Sequence, residues 1–64
     1  MRKIGELKTN TTTLVIYKND EARCNPYRIY RKWYEGGWHR ELLEQYEDLA
    51  SCTFYISDYV MKKG

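Results

Sequence analysis

Apolar and polar residues alternate on both sides of Gly36-Gly37, and after Tyr46 the apolar spacing becomes helical. The densest run of β-branched residues is Thr11–Lys18, TTTLVIYK, and this composition predicts a strand. Pro26 cannot donate a backbone hydrogen bond to a sheet, so the next strand should begin at or after it. Residues 1–10 are polar with isolated apolar side chains. They are interpreted either as a flexible N-terminal arm or as a short edge strand.

The stretch Tyr27–Tyr46 interleaves aromatic and basic residues on both sides of Gly36-Gly37, which predicts a tight β-hairpin. If the two glycines form the loop, Tyr34 pairs with His39. The more apolar face, expected on the core, then carries Tyr27, Ile29, Trp33, Trp38, Leu42 and Tyr46, with Arg31, Arg40 and Glu44 among them. The outward face carries Arg28, Tyr30, Lys32, Tyr34, His39, Glu41, Leu43 and Gln45. A loop longer by one residue would exchange the pairing on one strand.

A helical period follows the hairpin. Glu47-Asp48 is a suitable N-cap and acidic first turn, and Lys62-Lys63 followed by Gly64 suits a helix C-terminus. The expected buried stripe consists of Leu49, Cys52, Thr53, Ile56, Tyr59 and Val60. A competing interpretation joins Arg40 to Lys62 in one long helix.

The predicted fold is α+β: a three-stranded antiparallel sheet with one C-terminal helix packed on one face, in the order β-β-β-α, within a single domain of residues 11–64. This order resembles the arm-type DNA-binding domains at the start of tyrosine recombinases and the three-stranded DNA-binding domains of plants. The resemblance is topological, covers Thr11 to Lys63 and includes no shared residue motif. It implies a sheet that lies in a DNA groove.

The length and composition of the chain exclude several classes of function. A chain of 64 residues has little room for a deep catalytic cleft, and no catalytic motif is present, so we expect no enzyme and no cofactor. One histidine and two cysteines without a CxxC spacing do not make a zinc site. Cys24 and Cys52 are expected to be reduced thiols, with a disulfide or redox pair as the alternative, and the chain is expected in the cytoplasm. No apolar run is long enough to span a bilayer.

The candidate binding residues lie on the outward face of the hairpin. They are Arg28, Tyr30, Lys32, Tyr34 and His39, with Arg23 and Arg40 extending the basic rim. Arginine and lysine could neutralise phosphates, and the aromatic rings could stack on bases. The alternative is an ordinary solvated sheet face, because a net charge of +2 is small and Glu35, Glu41 and Glu44 dilute the basic residues.

Two apolar features suggest protein contacts instead. Trp33 and Trp38 flank the turn and are expected to form a cross-strand clasp, although an exposed indole there would be an interface anchor. Phe54 and Met61 lie beside the buried helical stripe, so they either form a partner or dimer surface or are covered by residues 1–10. The expected function is non-enzymatic nucleic-acid binding. The alternative is a phage- or mobile-element-style inhibitor or adaptor that binds a host protein.

Overall fold

A computed structural model describes residues 1–10 and 12–63 of the chain. The elements are β1 (Arg2–Lys8), β2 (Thr13–Lys18), β3 (Tyr27–Tyr34), β4 (Trp38–Tyr46) and α1 (Leu49–Lys63). The four strands form one antiparallel sheet in chain order, β1-β2-β3-β4. The predicted strand start at Thr11 and the C-terminal Gly64 lie outside the described residues.

The predicted α+β class, with an antiparallel sheet and one C-terminal helix, is confirmed, but the predicted strand number of three is wrong. Leu14 and Val15 of β2 are fully buried, and a buried strand needs hydrogen-bonding partners on both edges. β1 supplies the second partner, with Leu7 opposite Leu14 and Glu6 opposite Val15. Its side chains are almost all exposed. Backbone pairing therefore makes β1 a strand, and its side-chain pattern shows this only weakly.

The interpretation of Arg40 to Lys62 as one long helix is wrong, because β4 continues to Tyr46 and α1 begins at Leu49. The predicted N-cap is confirmed at Asp48, but the predicted acidic first turn is wrong, because α1 begins at Leu49 and its first turn contains no acidic residue. The Asp48 Oδ1 atom accepts a hydrogen bond of 2.7 Å from the backbone N–H of Ser51, one of the donors that a helix start leaves unpaired. This bond holds the pKa of Asp48 below its usual value, because it stabilises the ionised carboxylate.

Helix α1 packs on β3 and β4 and covers one face of the sheet. Ile16, Ile29 and Cys52 form the core cluster, and the half-buried residues around it are Tyr27, Leu43, Tyr46, Tyr55 and Ile56. The predicted helical stripe was partly wrong, because Leu49 and Thr53 are exposed while Tyr55 packs on the core.

The two cysteines are both free thiols, as expected. Cys52 lies in the core, where burial raises the pKa of its thiol. Cys24 is exposed in the β2–β3 connection. A buried thiol with a raised pKa is a packing group, because the reactive thiolate is disfavoured.

The hairpin loop has three residues, Glu35 to Gly37, and not two. Tyr34 therefore pairs with Trp38 and Trp33 with His39, one position away from the predicted register. The loop is closed by a 2.9 Å hydrogen bond from the Glu35 N–H to the Gly37 carbonyl. Gly36 has φ +67° and Gly37 has φ +155°, both in a region that side-chain-bearing residues rarely adopt. The glycine pair did mark the turn, but the turn also includes Glu35.

A β-bulge at Leu43 restores the predicted register in the second half of the hairpin. Tyr30 pairs with Leu42, whereas Ile29 pairs with Glu44, so Leu43 is the extra residue of β4. Without it, the register shift at the loop would place Tyr46 on the face opposite the helix, because a one-residue slip inverts every side chain. With it, Tyr46 pairs with Tyr27 and packs on the core.

The predicted faces therefore hold for β3 and are wrong for β4 between the loop and the bulge. The residues expected on the core that lie on the face away from α1 are Trp38, Arg40 and Leu42. The residues expected outward that lie on the helix side are His39, Glu41 and Leu43. Up to the bulge, the β4 residues thus have different β3 partners from those predicted, because the loop is one residue longer.

Gly36 provides a test of the three-residue loop. We expect Gly36→Ala to lower the free energy of unfolding by about 1 kcal/mol, because alanine is strained at positive φ. Gly36→Asn should cost less, because asparagine tolerates the left-handed region. No atom lies within 4 Å of an added Cβ, so crowding does not contribute. Urea unfolding of both variants measures the difference, and equal losses would contradict this loop conformation.

Candidate functional site

The sheet has one face under α1 and one face with no covering element among the described residues; the latter is called the open face. The Cα positions extend only 15 Å along the shortest axis, as expected for one sheet and one helix layer. Residues directly opposite each other on antiparallel strands share a face. By register, the open face carries Lys3, Glu6 and Lys8 of β1, Thr13, Val15 and Tyr17 of β2, Arg28, Tyr30, Lys32 and Tyr34 of β3, and Trp38, Arg40, Leu42 and Gln45 of β4.

Charge is segregated between the two sides of the molecule. The open face carries five of the eleven basic residues but one of the nine acidic residues, which gives it a net charge of +4 while the rest of the chain is at −2. Glu41 and Glu44, which were expected to dilute the basic residues, lie on the helix side by register. The small net charge of the whole chain therefore conceals a strongly basic surface.

Most cations of the open face have no carboxylate partner. Glu6 is within 3.2 Å of Lys3. Within residues 1–10 and 12–63, no ion pair forms at Lys8, Arg28, Lys32 or Arg40. Unpaired cations that share one face produce the positive potential that attracts phosphates.

The centre of the open face is closed by its own side chains. Val15 is fully buried and Tyr30 is 9% exposed, although no second layer covers them. The Tyr17 ring meets the Tyr30 ring edge-on at 5.4 Å, and the Arg40 guanidinium lies 5.1 Å from the Tyr30 ring centre. The Arg28 Nε atom is also buried, without a hydrogen-bond partner. Tyr30 and Arg28 therefore have a structural role in addition to any contact they make with a ligand.

The tip of the open face presents two aromatic rings to solvent. Trp38 is 72% exposed and Tyr34 is 68% exposed, and their rings meet edge-on at 5.5 Å. The Lys32 Nζ atom lies 5.7 Å from the Trp38 ring centre. An open groove of about 240 Å³ runs beside them, lined by Glu6, Lys8, Thr13, Lys32 and Trp38. It is smaller than a typical small-molecule pocket of roughly 300–1,000 Å³, so it is a surface groove and not a cleft.

The other side of the hairpin tip carries a separate cluster of side chains that contact one another. The Arg31 guanidinium lies 4.4 Å from the Trp33 ring centre and donates a 2.8 Å hydrogen bond to Glu41. Trp33 stacks on His39 at 5.4 Å. The predicted Trp33–Trp38 clasp is therefore wrong, because the three-residue loop places the two indoles on opposite faces. His39 likewise leaves the candidate set, with its Nε2 atom 3.0 Å from the Glu35 carbonyl oxygen.

The remaining candidates lie elsewhere on the molecule. Arg23 is exposed in the β2–β3 connection, at the end of the sheet opposite the hairpin loop. Phe54 is 77% exposed and Met61 is 86% exposed, on the side of α1 away from the sheet. The structure thus does not join Trp38 with Phe54 and Met61 in one surface. Residues 1–10 do not cover the two helical residues, because β1 lies at the far edge of the sheet.

Sequence reasoning missed Lys3 and Lys8. Both enter the open face through β1, opposite Tyr17 and Thr13. The sequence pattern gave little signal, because an extra residue at Ile4 interrupts the alternation, so Lys3 and Lys8 share a face although they are five residues apart. If residues 1–10 had been assigned as an edge strand, Lys8 would have joined the candidate binding residues.

Residues 1–10 and 12–63 contain neither a metal-binding cluster nor a membrane-spanning helix. No group of three or more histidine, cysteine, aspartate or glutamate side chains is arranged to hold a metal ion there. Over the same residues, no helix has the length and apolar character needed to cross a membrane.

Comparisons of the chain with protein-family models, with curated proteins and with solved structures find no match.

Tyr30 and Tyr34 lie on the same face of the same strand and form a matched pair. We expect Tyr30→Ala to lower the free energy of unfolding by about 3 kcal/mol, because it empties the buried centre of the open face. Tyr34→Ala should cost about 0.5 kcal/mol or less, because that ring is mostly exposed. Chemical denaturation measures both, and similar losses would contradict the assignment of Tyr30 to structure and Tyr34 to the accessible surface.

Proposed function

We propose that this protein is a non-enzymatic nucleic-acid-binding protein whose open face is the binding surface. The observation that carries the proposal is the segregation of charge: five cations and one carboxylate share the open face, while the carboxylates of β4 lie on the helix side. A phosphate backbone binds such a surface by exchanging its condensed counterions for protein cations. Free thiols on both cysteines suit a reducing compartment such as the cytoplasm, which we propose as the location.

The geometry of the cations supports contact with a chain of phosphates and not with a single anion. The basic residues are distributed over β1, β3 and β4, and Lys32 and Arg40 are directly opposite each other. Like charges directly opposite on neighbouring strands are destabilising. The presence of this unfavourable pair on an otherwise uncovered face therefore favours a function that needs both cations.

A mobility-shift or anisotropy titration over a salt series tests the proposal. We expect log K to fall with log salt concentration with a slope between about −3.5 and −4.5, for five cations on a single strand or a duplex. Lys32→Ala should weaken binding and reduce the magnitude of this slope by about 1. Lys62→Ala removes the same charge from α1 and serves as the matched control, because its partner is Asp58 at 3.3 Å.

The salt series separates the possible results. Binding that weakens with salt in the wild type and the Lys62→Ala variant, and is reduced by Lys32→Ala, supports the proposal. The absence of binding to both DNA and RNA at low salt contradicts it. Equal effects of the two substitutions contradict the placement of the interface on the open face.

The outer side of α1 supports a second candidate function: a protein-binding adaptor or inhibitor of the phage or mobile-element style. Two large apolar side chains with exposures of 77% and 86% occur one heptad apart there, at Phe54 and Met61. Residues seven apart lie on the same side of a helix. Exposed apolar groups of this kind are typical of interaction surfaces.

A double substitution tests the second candidate. We expect Phe54→Ser with Met61→Ser to abolish any self-association seen by size-exclusion chromatography with light scattering, and any protein captured by the tagged wild type. The variant should keep its fold, since both side chains are outside the core. Trp38→Ala is the control, because Trp38 lies on the opposite side of the molecule. Association that is lost in the control and kept in the double variant would contradict this candidate.

A further inference from the structure

The groove at the hairpin tip combines cations with accessible rings. Lys8 and Lys32 line it together with Trp38. Thr13 lies opposite both lysines, on the strand between theirs. Thr12 donates a 3.0 Å hydrogen bond from its hydroxyl to the Lys32 carbonyl, which anchors the β3 backbone at this point. Two lysine ammonium groups and a hydroxyl donor around one groove are suited to a phosphate group.

The exposed rings beside this groove are suited to an unpaired base. Trp38 and Tyr34 are 72% and 68% exposed, whereas the buried centre of the open face is closed by Tyr17 and Arg40. In a duplex, each base is already stacked on its neighbours and presents only its edge to a groove. The flat side of an aromatic ring can therefore gain full stacking contact only with a base from a single strand.

The width of the sheet also disfavours a duplex. The four strands of the sheet, spaced by about 4.8 Å, place the outer backbones roughly 14 Å apart before side chains are added. The major groove of B-DNA is about 12 Å wide and admits a two-stranded ribbon or a helix. The cations of the open face are distributed from β1 to β4, so they cannot all enter one groove. A flexible single strand can follow them across the face.

We propose that the open face binds single-stranded nucleic acid, with an unpaired base stacked on Trp38 and an adjacent phosphate held between Lys8 and Lys32. This inference rests on the proposed nucleic-acid function and specifies the class of its ligand. Tyr34 supports the stacked base through its edge-on contact with Trp38 at 5.5 Å.

Three fluorescein-labelled probes of equal phosphate number per strand test the inference. They are an oligothymidine of about 12 nucleotides, the same strand in a duplex with oligoadenosine, and an abasic sugar-phosphate strand of the same length. Fluorescence anisotropy at low salt measures the dissociation constant of each probe. We expect the wild-type protein to bind the oligothymidine about tenfold more tightly than the abasic strand, and more tightly than the duplex.

Substitutions at the tip separate stacking from charge. Trp38→Leu should weaken oligothymidine binding about tenfold and leave abasic-strand binding unchanged, because it removes the ring but no charge. Trp38→Phe should retain most of the affinity, since it keeps an aromatic ring. Lys8→Ala should weaken binding of all three probes and reduce the salt slope by about 1. The exposed position of Trp38 predicts that its variants fold, which circular dichroism checks.

The results distinguish failure of this inference from failure of the proposed function. Salt-dependent binding that is equal for the oligothymidine, the duplex and the abasic strand, and that Trp38→Leu does not change, overturns the stacked single strand and leaves the nucleic-acid function standing. Tighter binding of the duplex likewise overturns it. No binding of any probe at low salt overturns both.

Discussion

The alternation of side chains along β4, and its interruption at Leu43, is the constraint on which the two faces of this protein depend. A three-residue hairpin loop shifts the register by one position, and the bulge shifts it back. Between loop and bulge, Trp38 and Arg40 are thereby directed to the open face. Beyond the bulge, Tyr46 returns to the helix and closes the core. One extra residue thus lets a single strand contribute to both the open face and the core.

A sheet covered by a helix on one side only must protect the other side with its own side chains. On the open face, Tyr17 and Arg40 pack around the Tyr30 ring, and the aliphatic parts of long cationic side chains can cover apolar surface while their charges remain in water. The basic residues of the proposed phosphate-binding surface and the residues that bury the centre of the face therefore overlap. Substitutions near Tyr30 should therefore affect folding together with any binding, whereas substitutions at the exposed tip around Trp38 should leave the fold intact.

The two edge strands of the sheet carry features that oppose pairing with a further strand. β1 has an irregularity at Ile4 and β4 has the bulge at Leu43, and both strands carry charged side chains. Bulges and charges on edge strands oppose pairing with another chain. The surfaces left for the proposed contacts are the open face and the outer side of α1, where the exposed Phe54 and Met61 lie.

The sequence by itself determined the α+β class, the position of the hairpin, the strand at β2 and Asp48 as a suitable N-cap for α1. These features follow from local chemistry: glycines at a turn, β-branched residues in a strand and a capping carboxylate at a helix. Only the tertiary structure decided that β1 is a strand, since its pairing depends on β2 and not on its own side chains. It also decided the loop length and the bulge, because the burial of Tyr46 against α1 selects the register. The basic surface is a consequence of both, since it needs Lys8 from β1 and Arg40 from the shifted half of β4.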